Sequence, residues 1–283
     1  MTVARTRTQP IHSRALEVGQ LLTAAIIPLA GLASAAGLFV PGVYRRNATT
    51  IVPALQGQDL VTLLALAALA AALLAARRGS ARGTLVWIGL LGYIFYTYAG
   101  AALGYAFGAL CLLYVVLFSL SVFALIAAAS GLDAAALQQR FDAATPRRPV
   151  AGFLILIALL LAGLELGQNL QFLASGTLPP GVAMAGGGSY FVYGMDLGLV
   201  LPLTILAAIW LWRRAPWGPV LAGFVLIKGA TMGLALLGMN WLTARAGLPT
   251  DAPELMAFYA LLSAGGLGMT AWFLRHCREE IQS

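Results

Sequence analysis

Apolar stretches of membrane-span length dominate the chain, and short arginine-bearing segments divide them. A helix needs about 20 largely apolar residues to cross the hydrocarbon core of a bilayer, and its backbone hydrogen bonds must be satisfied within the segment. The pattern predicts an all-α, polytopic transmembrane bundle of eight helices near residues 19–40, 59–76, 84–104, 108–130, 150–173, 190–212, 216–241 and 254–275. The third and fourth form one apolar block, too long for a single helix, which divides best around Gly104-Tyr105-Ala106-Phe107-Gly108. Composition agrees with this reading. The chain is 60% hydrophobic and 10% charged, with a mean hydropathy of +0.87. A soluble domain would carry about 25% charged residues, so lipid has to cover most of this surface. The longest outside connections, 41–58 and 174–189, have no room for a soluble domain, and residues 1–283 read as one integral membrane domain.

Net charge is +7 and the pI is near 9.8. The basic residues do not form a nucleic-acid-binding stripe; they cluster between apolar runs and so report topology. With eight spans and a cytoplasmic N-terminus, the inside segments carry Arg5, Arg7, Arg14, Arg77, Arg78, Arg82, Arg140, Arg147, Arg148, Arg213, Arg214, Arg275 and Arg278, against Arg45, Arg46 and Arg245 outside. Seven spans would put Arg140, Arg147 and Arg148 on the wrong side. Both termini are therefore expected in the cytoplasm. Arg5, Arg7 and Arg14 precede an apolar run too long for a signal peptide, so an uncleaved first helix is expected despite the weak cleavage-like Ala33-Ser34-Ala35.

The one lysine, Lys228, is embedded in Phe224-Val225-Leu226-Ile227-Lys228-Gly229-Ala230, and the acids Glu165 and Asp196 are embedded likewise. A charge at the centre of a bilayer costs roughly 2.5–3.5 kcal/mol on insertion scales. The fifth helix runs outward, with Glu165, Gln168 and Asn169 on one face by their i, i+3, i+4 spacing. The sixth runs inward with Asp196 in its outer part. Lys228 falls near the centre of the seventh, with Thr231 on the same face. The expected arrangement is a polar cavity open toward the outer face, in which Lys228 pairs with Asp196 and Glu165 is hydrogen-bonded through Gln168 or Asn169. Three ionised groups would leave one excess negative charge, to be balanced by a proton or a cationic ligand. The competing reading is a structural ion pair that fixes helix register.

Tyr93 and Tyr96 share a face of the third helix and are candidates to line the same cavity; Tyr98, Tyr105, Tyr190 and Tyr193 fit an interfacial aromatic belt. Gly92, Gly100, Gly104 and Gly108 suit close packing or a turn. Pro202 removes a backbone donor near Asp196 and leaves the carbonyl near Gly198 available. Asp133 and Asp142 flank a short amphipathic stretch, Ala134 to Phe141, and Thr250, Asp251, Pro253 and Glu254 look like the capped start of the last helix. Pro179-Pro180 and Gly186-Gly187-Gly188 read as a flexible loop. Trp210, Trp212, Arg213, Arg214 and Trp217 read as an anchor at the inner interface, among anionic lipid. Cys111 and Cys277 form no disulfide framework, and both histidines, His12 and His276, are terminal. No metal site, catalytic motif or cofactor is expected.

The stretches Tyr114 to Ile126 (YVVLFSLSVFALI), Asp196 to Leu203 (DLGLVLPL) and Trp212 to Gly218 (WRRAPWG) resemble those of uncharacterised bacterial multi-pass inner-membrane proteins. That resemblance spans most of the chain; it implies a bacterial inner membrane and no particular activity. Embedded ionisable residues and a proline-interrupted helix favour a small-solute or proton-coupled transporter. A receptor or sensor that binds a small molecule and signals through a partner protein is the second expectation, and an intramembrane enzyme using Glu165 as an acid or base is the third. Expected partners are membrane lipid, a small-molecule or cation ligand, and a protein partner or second copy of the chain.

Overall fold

The computed structural model describes residues 13–187 and 190–279. Arg5, Arg7, His12 and Gly188 from the sequence reading lie outside the described residues. Eight helices are long and apolar enough to cross a membrane: α1 (Arg14–Phe39), α2 (Val52–Arg77), α3 (Ala81–Gly104), α4 (Cys111–Gly131), α6 (Arg147–Ser175), α8 (Phe191–Trp212), α9 (Gly218–Arg245) and α10 (Pro253–Arg275). Two short helices, α5 (Ala134–Gln139) and α7 (Pro180–Met184), lie in the connections. Among the described residues there is no β-strand.

Local chemistry sets the helix ends. Ser13 caps α1 by accepting from Leu16 N–H, Ser80 caps α3, and Asp133 caps α5 by accepting from Ala136 N–H at 2.9 Å. Gly176, at φ 70°, ends α6 in the left-handed conformation that glycine adopts without steric cost. The predicted break in the long apolar block is where the chain turns, between Gly104 and Cys111. Two starts differ from the sequence reading. α2 begins at Val52, with Pro53 in its first turn, and so absorbs Gln56-Gly57-Gln58, expected in the connection, and places Asp59, expected as the first residue of the span, two turns inside the helix. At the start of α10 the N-cap is Ala252, with no side-chain cap, because the Asp251 carboxylate takes Asn240 and Tyr259 as donors instead.

Helix α3 is the most buried span, with 78% of its most apolar window inside, followed by α9 at 56%. These two lie against each other at the centre. α1, α2 and α4 pack around α3, while α8 and α10 pack on α9 and α6 packs mainly on α8. Small residues permit the close crossings. A Cβ on Gly57 of α2 would stand 2.6 Å from the Met239 Cα of α9, so only hydrogen fits there, whereas a Cβ on Gly163 of α6 would meet nothing within 4 Å. Gly57→Ala is therefore expected to lower stability by about 1–3 kcal/mol through overpacking, and Gly163→Ala to leave it unchanged or raised. Thermal unfolding of the purified variants checks the pair; equal effects would contradict the packing.

Both described ends of the chain lie at one face, the terminal face. There the C-terminal segment is clamped. The Glu279 carboxylate accepts from Ser80 Oγ (2.9 Å) and from the N–H groups of Ala81 (2.9 Å) and Arg82 (3.0 Å), on the positive end of the α3 dipole. His276 Nδ1 lies 3.1 Å from Asp142, and the Phe141 and Phe273 rings stack at 4.6 Å. Cys277 is fully buried beneath this clamp, and burial pushes its thiol up to about 11. At neutral pH the reactive thiolate is scarce. In a Cys111→Ser background, maleimide labelling of Cys277 at pH 7.5 is expected to be slow and to accelerate severalfold on Glu279→Ala; fast labelling of the parent would refute the clamp.

Candidate functional site

Helices α6 and α8 pack along the halves nearest the terminal face and part toward the far face. The buried residues of α6 are Val150, Ala151, Leu154, Ile157, Ala158 and, well beyond these, Glu165. In α8 they are Thr204, Ala207, Ala208 and Leu211, with none between Phe191 and Val200. A Cβ at Gly163, Gly167, Gly194 or Gly198 would meet nothing within 4 Å, so neither helix is filled in where they separate. Glu165 and Asp196 come together at this fork.

The backbone of α8 changes pitch at the same place. Residues Asp196–Val200 form a π-turn in which Leu201 N–H donates to the Asp196 carbonyl, five residues back. Pro202 has no N–H for the Gly198 carbonyl and its ring crowds that turn, so the helix widens to relieve the clash. The widened turn presents Asp196 toward α3, α6 and α9.

Four side chains form a cluster. Glu165, 5% exposed, has Asp196 as its first electrostatic neighbour and Lys228 as its second. Asp196 is also the first electrostatic neighbour of the Tyr96 hydroxyl of α3. Lys228 of α9 places its Nζ 3.9 Å from the Tyr96 ring centroid, over the face of the ring. A desolvated cation on an aromatic face is worth about 2 kcal/mol. The direct Lys228–Asp196 pair expected from sequence is not formed: no N–O distance from Lys228 to either carboxyl falls within 4.0 Å. Asp196 is its first electrostatic neighbour and Glu165 its second, and the amine rests on the Tyr96 ring instead of on a carboxylate. Two neighbouring carboxyls repel each other when both are ionised, so the pair favours holding one proton. With that proton and a charged Lys228, the cluster is neutral. Glu165 Oε2 and Asp196 Oδ1 are both buried with no protein partner. An acceptor buried this way costs about 1–3 kcal/mol, and these two are positioned to take a ligand donor, a cation or water.

One turn farther out, the Tyr193 hydroxyl donates to Gln168 Oε1 and forms a second rung between α6 and α8. The Asn169 amide donates to the Glu165 backbone carbonyl at 2.9 Å, and the Thr231 hydroxyl to the Ile227 carbonyl at 2.8 Å. Both are thus spent on their own helices, and Glu165 has Asp196 as its neighbour rather than Gln168 or Asn169 as a partner. Tyr93 faces α2, away from the cavity, with its hydroxyl 2.9 Å from Thr62.

Sequence reasoning missed a further embedded acid. Asp59 accepts from the Tyr44 hydroxyl and interacts with Ser34, amid the rings of Tyr44, Tyr98, Tyr105 and Tyr114. Tyr98 and Tyr105 belong to this network rather than to a bare interfacial belt: Tyr98 donates to the Ala30 carbonyl at 3.1 Å and Tyr105 to Gln58. Pro53, a first-turn residue ahead of the polar run, was the available signal that the helix starts early enough to embed Asp59. Among the described residues no cluster suited to a metal ion occurs.

Comparison with known proteins gives no match: no family fits the chain, and no curated protein or solved structure is detectably similar.

Lys228→Met leaves the acid pair without its cation and is expected to destabilise the protein more than Lys228→Met combined with Asp196→Asn, with a coupling of about 1–2 kcal/mol. Additive losses in the thermal-unfolding cycle would contradict electrostatic coupling. Tyr96→Phe, which keeps the ring and removes the hydroxyl, is expected to lose less than Tyr96→Leu.

Proposed function

We propose that the chain is a multi-pass protein of a bacterial cytoplasmic membrane, with both termini in the cytoplasm, and that it carries a small solute or cation in exchange for, or together with, a proton held by Glu165 and Asp196. The observation that carries this reading is the acid pair at the fork of α6 and α8, Glu165 buried and Asp196 half-buried, with two unpartnered oxygens and a lysine that makes no ion pair with either acid. A structural ion pair would bring amine and carboxylate into contact to offset their desolvation. Here the amine rests on the Tyr96 ring rather than on a carboxylate, and two carboxyl oxygens lack a hydrogen-bond partner.

The mechanism follows from charge. With the shared proton present, the cluster is neutral and tolerates a low dielectric. Loss of that proton leaves an extra negative charge, which a cationic group entering between the rungs would neutralise. Proton and cation thereby compete for the same carboxyl oxygens, and that competition is the coupling step. The π-turn at Asp196 and the Pro202 break supply a place where α8 can bend against α6. Unfilled glycine faces on both helices leave room for such movement. The arginine bias, eleven of the described arginines on the terminal-face side against three on the other, supports the terminal face as cytoplasmic and the fork as opening outward.

In proteoliposomes loaded with a pH-sensitive dye, a screen of amines, amino acids and inorganic cations is expected to find a solute whose addition moves protons. Glu165→Gln or Asp196→Asn should abolish the signal while leaving the protein folded. Solute binding without flux would favour the receptor reading instead. A fluorescent protein fused to the C-terminus is expected to fluoresce in cells, as it would in the cytoplasm, and a periplasmic reporter there to stay silent. The reverse result would invert the topology.

A further inference from the structure

At the terminal face, a cavity of about 330 Å³ lies between the α5–α6 connection and the end of α8, lined among others by Thr145, Arg147, Arg148, Trp212 and Arg214. Three guanidinium-bearing side chains converge on it. Arg147 and Arg214 are close enough to repel each other. None of the three makes an ion pair within 4.0 Å with a described carboxylate. Their nearest acid, Asp142, is engaged by His276 at 3.1 Å and by the Thr145 hydroxyl.

The arrangement is held in place. The Arg148 guanidinium lies over the Trp212 ring, 5.8 Å from its centroid. Arg214 is the one non-glycine residue with positive φ among the described residues, at 57°. That conformation is uphill for a side chain of this kind, and it is fixed by hydrogen bonds from Arg214 N–H to the Leu211 carbonyl and from Gln138 Nε2 to the Arg214 carbonyl. A topology signal alone asks only for arginines near the interface. It does not ask for three unpaired ones around a shared hollow, one on a strained backbone.

We propose that this cavity binds a phosphoryl anion, either the phosphate of an anionic lipid headgroup or a free phosphate compound. Guanidinium groups match phosphate oxygens in bidentate geometry, and an anion there removes the repulsion between Arg147 and Arg214. The N-terminus of α6, which has no side-chain cap, adds its partial positive charge from the same side.

Native mass spectrometry of the full-length protein tests this with phosphatidylglycerol, with diacylglycerol of the same acyl chains, and with inorganic phosphate as competitor. Phosphatidylglycerol is expected to bind the unmodified protein at least about tenfold more tightly than diacylglycerol. Arg147→Gln and Arg214→Gln should each remove most of that preference. Arg213→Gln, next in sequence but outside the cavity lining, should retain it. Competition by inorganic phosphate would assign the site to the phosphoryl group from either source, and its absence would assign it to the lipid headgroup. Equal binding of the two lipids, or a preference unchanged in both cavity variants, would overturn the proposal. The two-lipid comparison on the unmodified protein decides even where a variant does not fold.

Discussion

Hydrocarbon solvates charge so poorly that each ionisable group inside this bundle has to be provided for by others, and the interior is arranged around that requirement. Lys228 on α9, Tyr96 on α3, Asp196 on α8 and Glu165 on α6 come from four different helices. Their meeting ties the central pair, α3 and α9, to the more loosely packed α6 and α8. Tyr96 links the cluster, because its ring face attracts the amine while Asp196 is the first electrostatic neighbour of its hydroxyl. The lysine can thus stay charged beside two carboxyls without collapsing onto either. A proton between Glu165 and Asp196 closes the charge balance.

The rest of the bundle contrasts with this site. On the other side of α3, Asp59 accepts from the Tyr44 hydroxyl within a surround of tyrosine rings. At the far end of α9, Asn240, Asp251 and Tyr259 satisfy one another at 2.9–3.0 Å. In both places the carboxylate itself has a hydroxyl or amide donor across well-packed helices. At the fork of α6 and α8, carboxyl oxygens remain unmatched beside unfilled glycine faces. That difference in satisfaction separates a site that can accept something from polar networks that hold helices together.

Much of the architecture was legible in the residues because hydropathy over about 20 positions is a strong signal. All eight spans, the break after Gly104 and the short helix capped by Asp133 follow from it. The register of Glu165 with Gln168, and the depths of Asp196 and Lys228, follow from helical geometry alone. What could not be read is which face turns to which neighbour. Tyr93 and Tyr96, three residues apart, point to different partners, one to Thr62 and the other to Asp196. Asp59 was hidden because glutamines and glycine around it look like a loop until the packing of α1, α3 and α9 supplies their partners. The Tyr96 ring beneath Lys228 was equally invisible, since sequence depth brings charges near one another without saying what they rest on.

The central claim is that Glu165 and Asp196 share one proton inside the bundle, and infrared difference spectroscopy of the purified protein at neutral pH reads it directly. The account predicts a carbonyl stretch of a protonated carboxylic acid that is lost or shifted in both Glu165→Gln and Asp196→Asn, and that is retained in Asp59→Asn. Two ionised carboxylates at this site, with no acid band sensitive to either substitution, would contradict it.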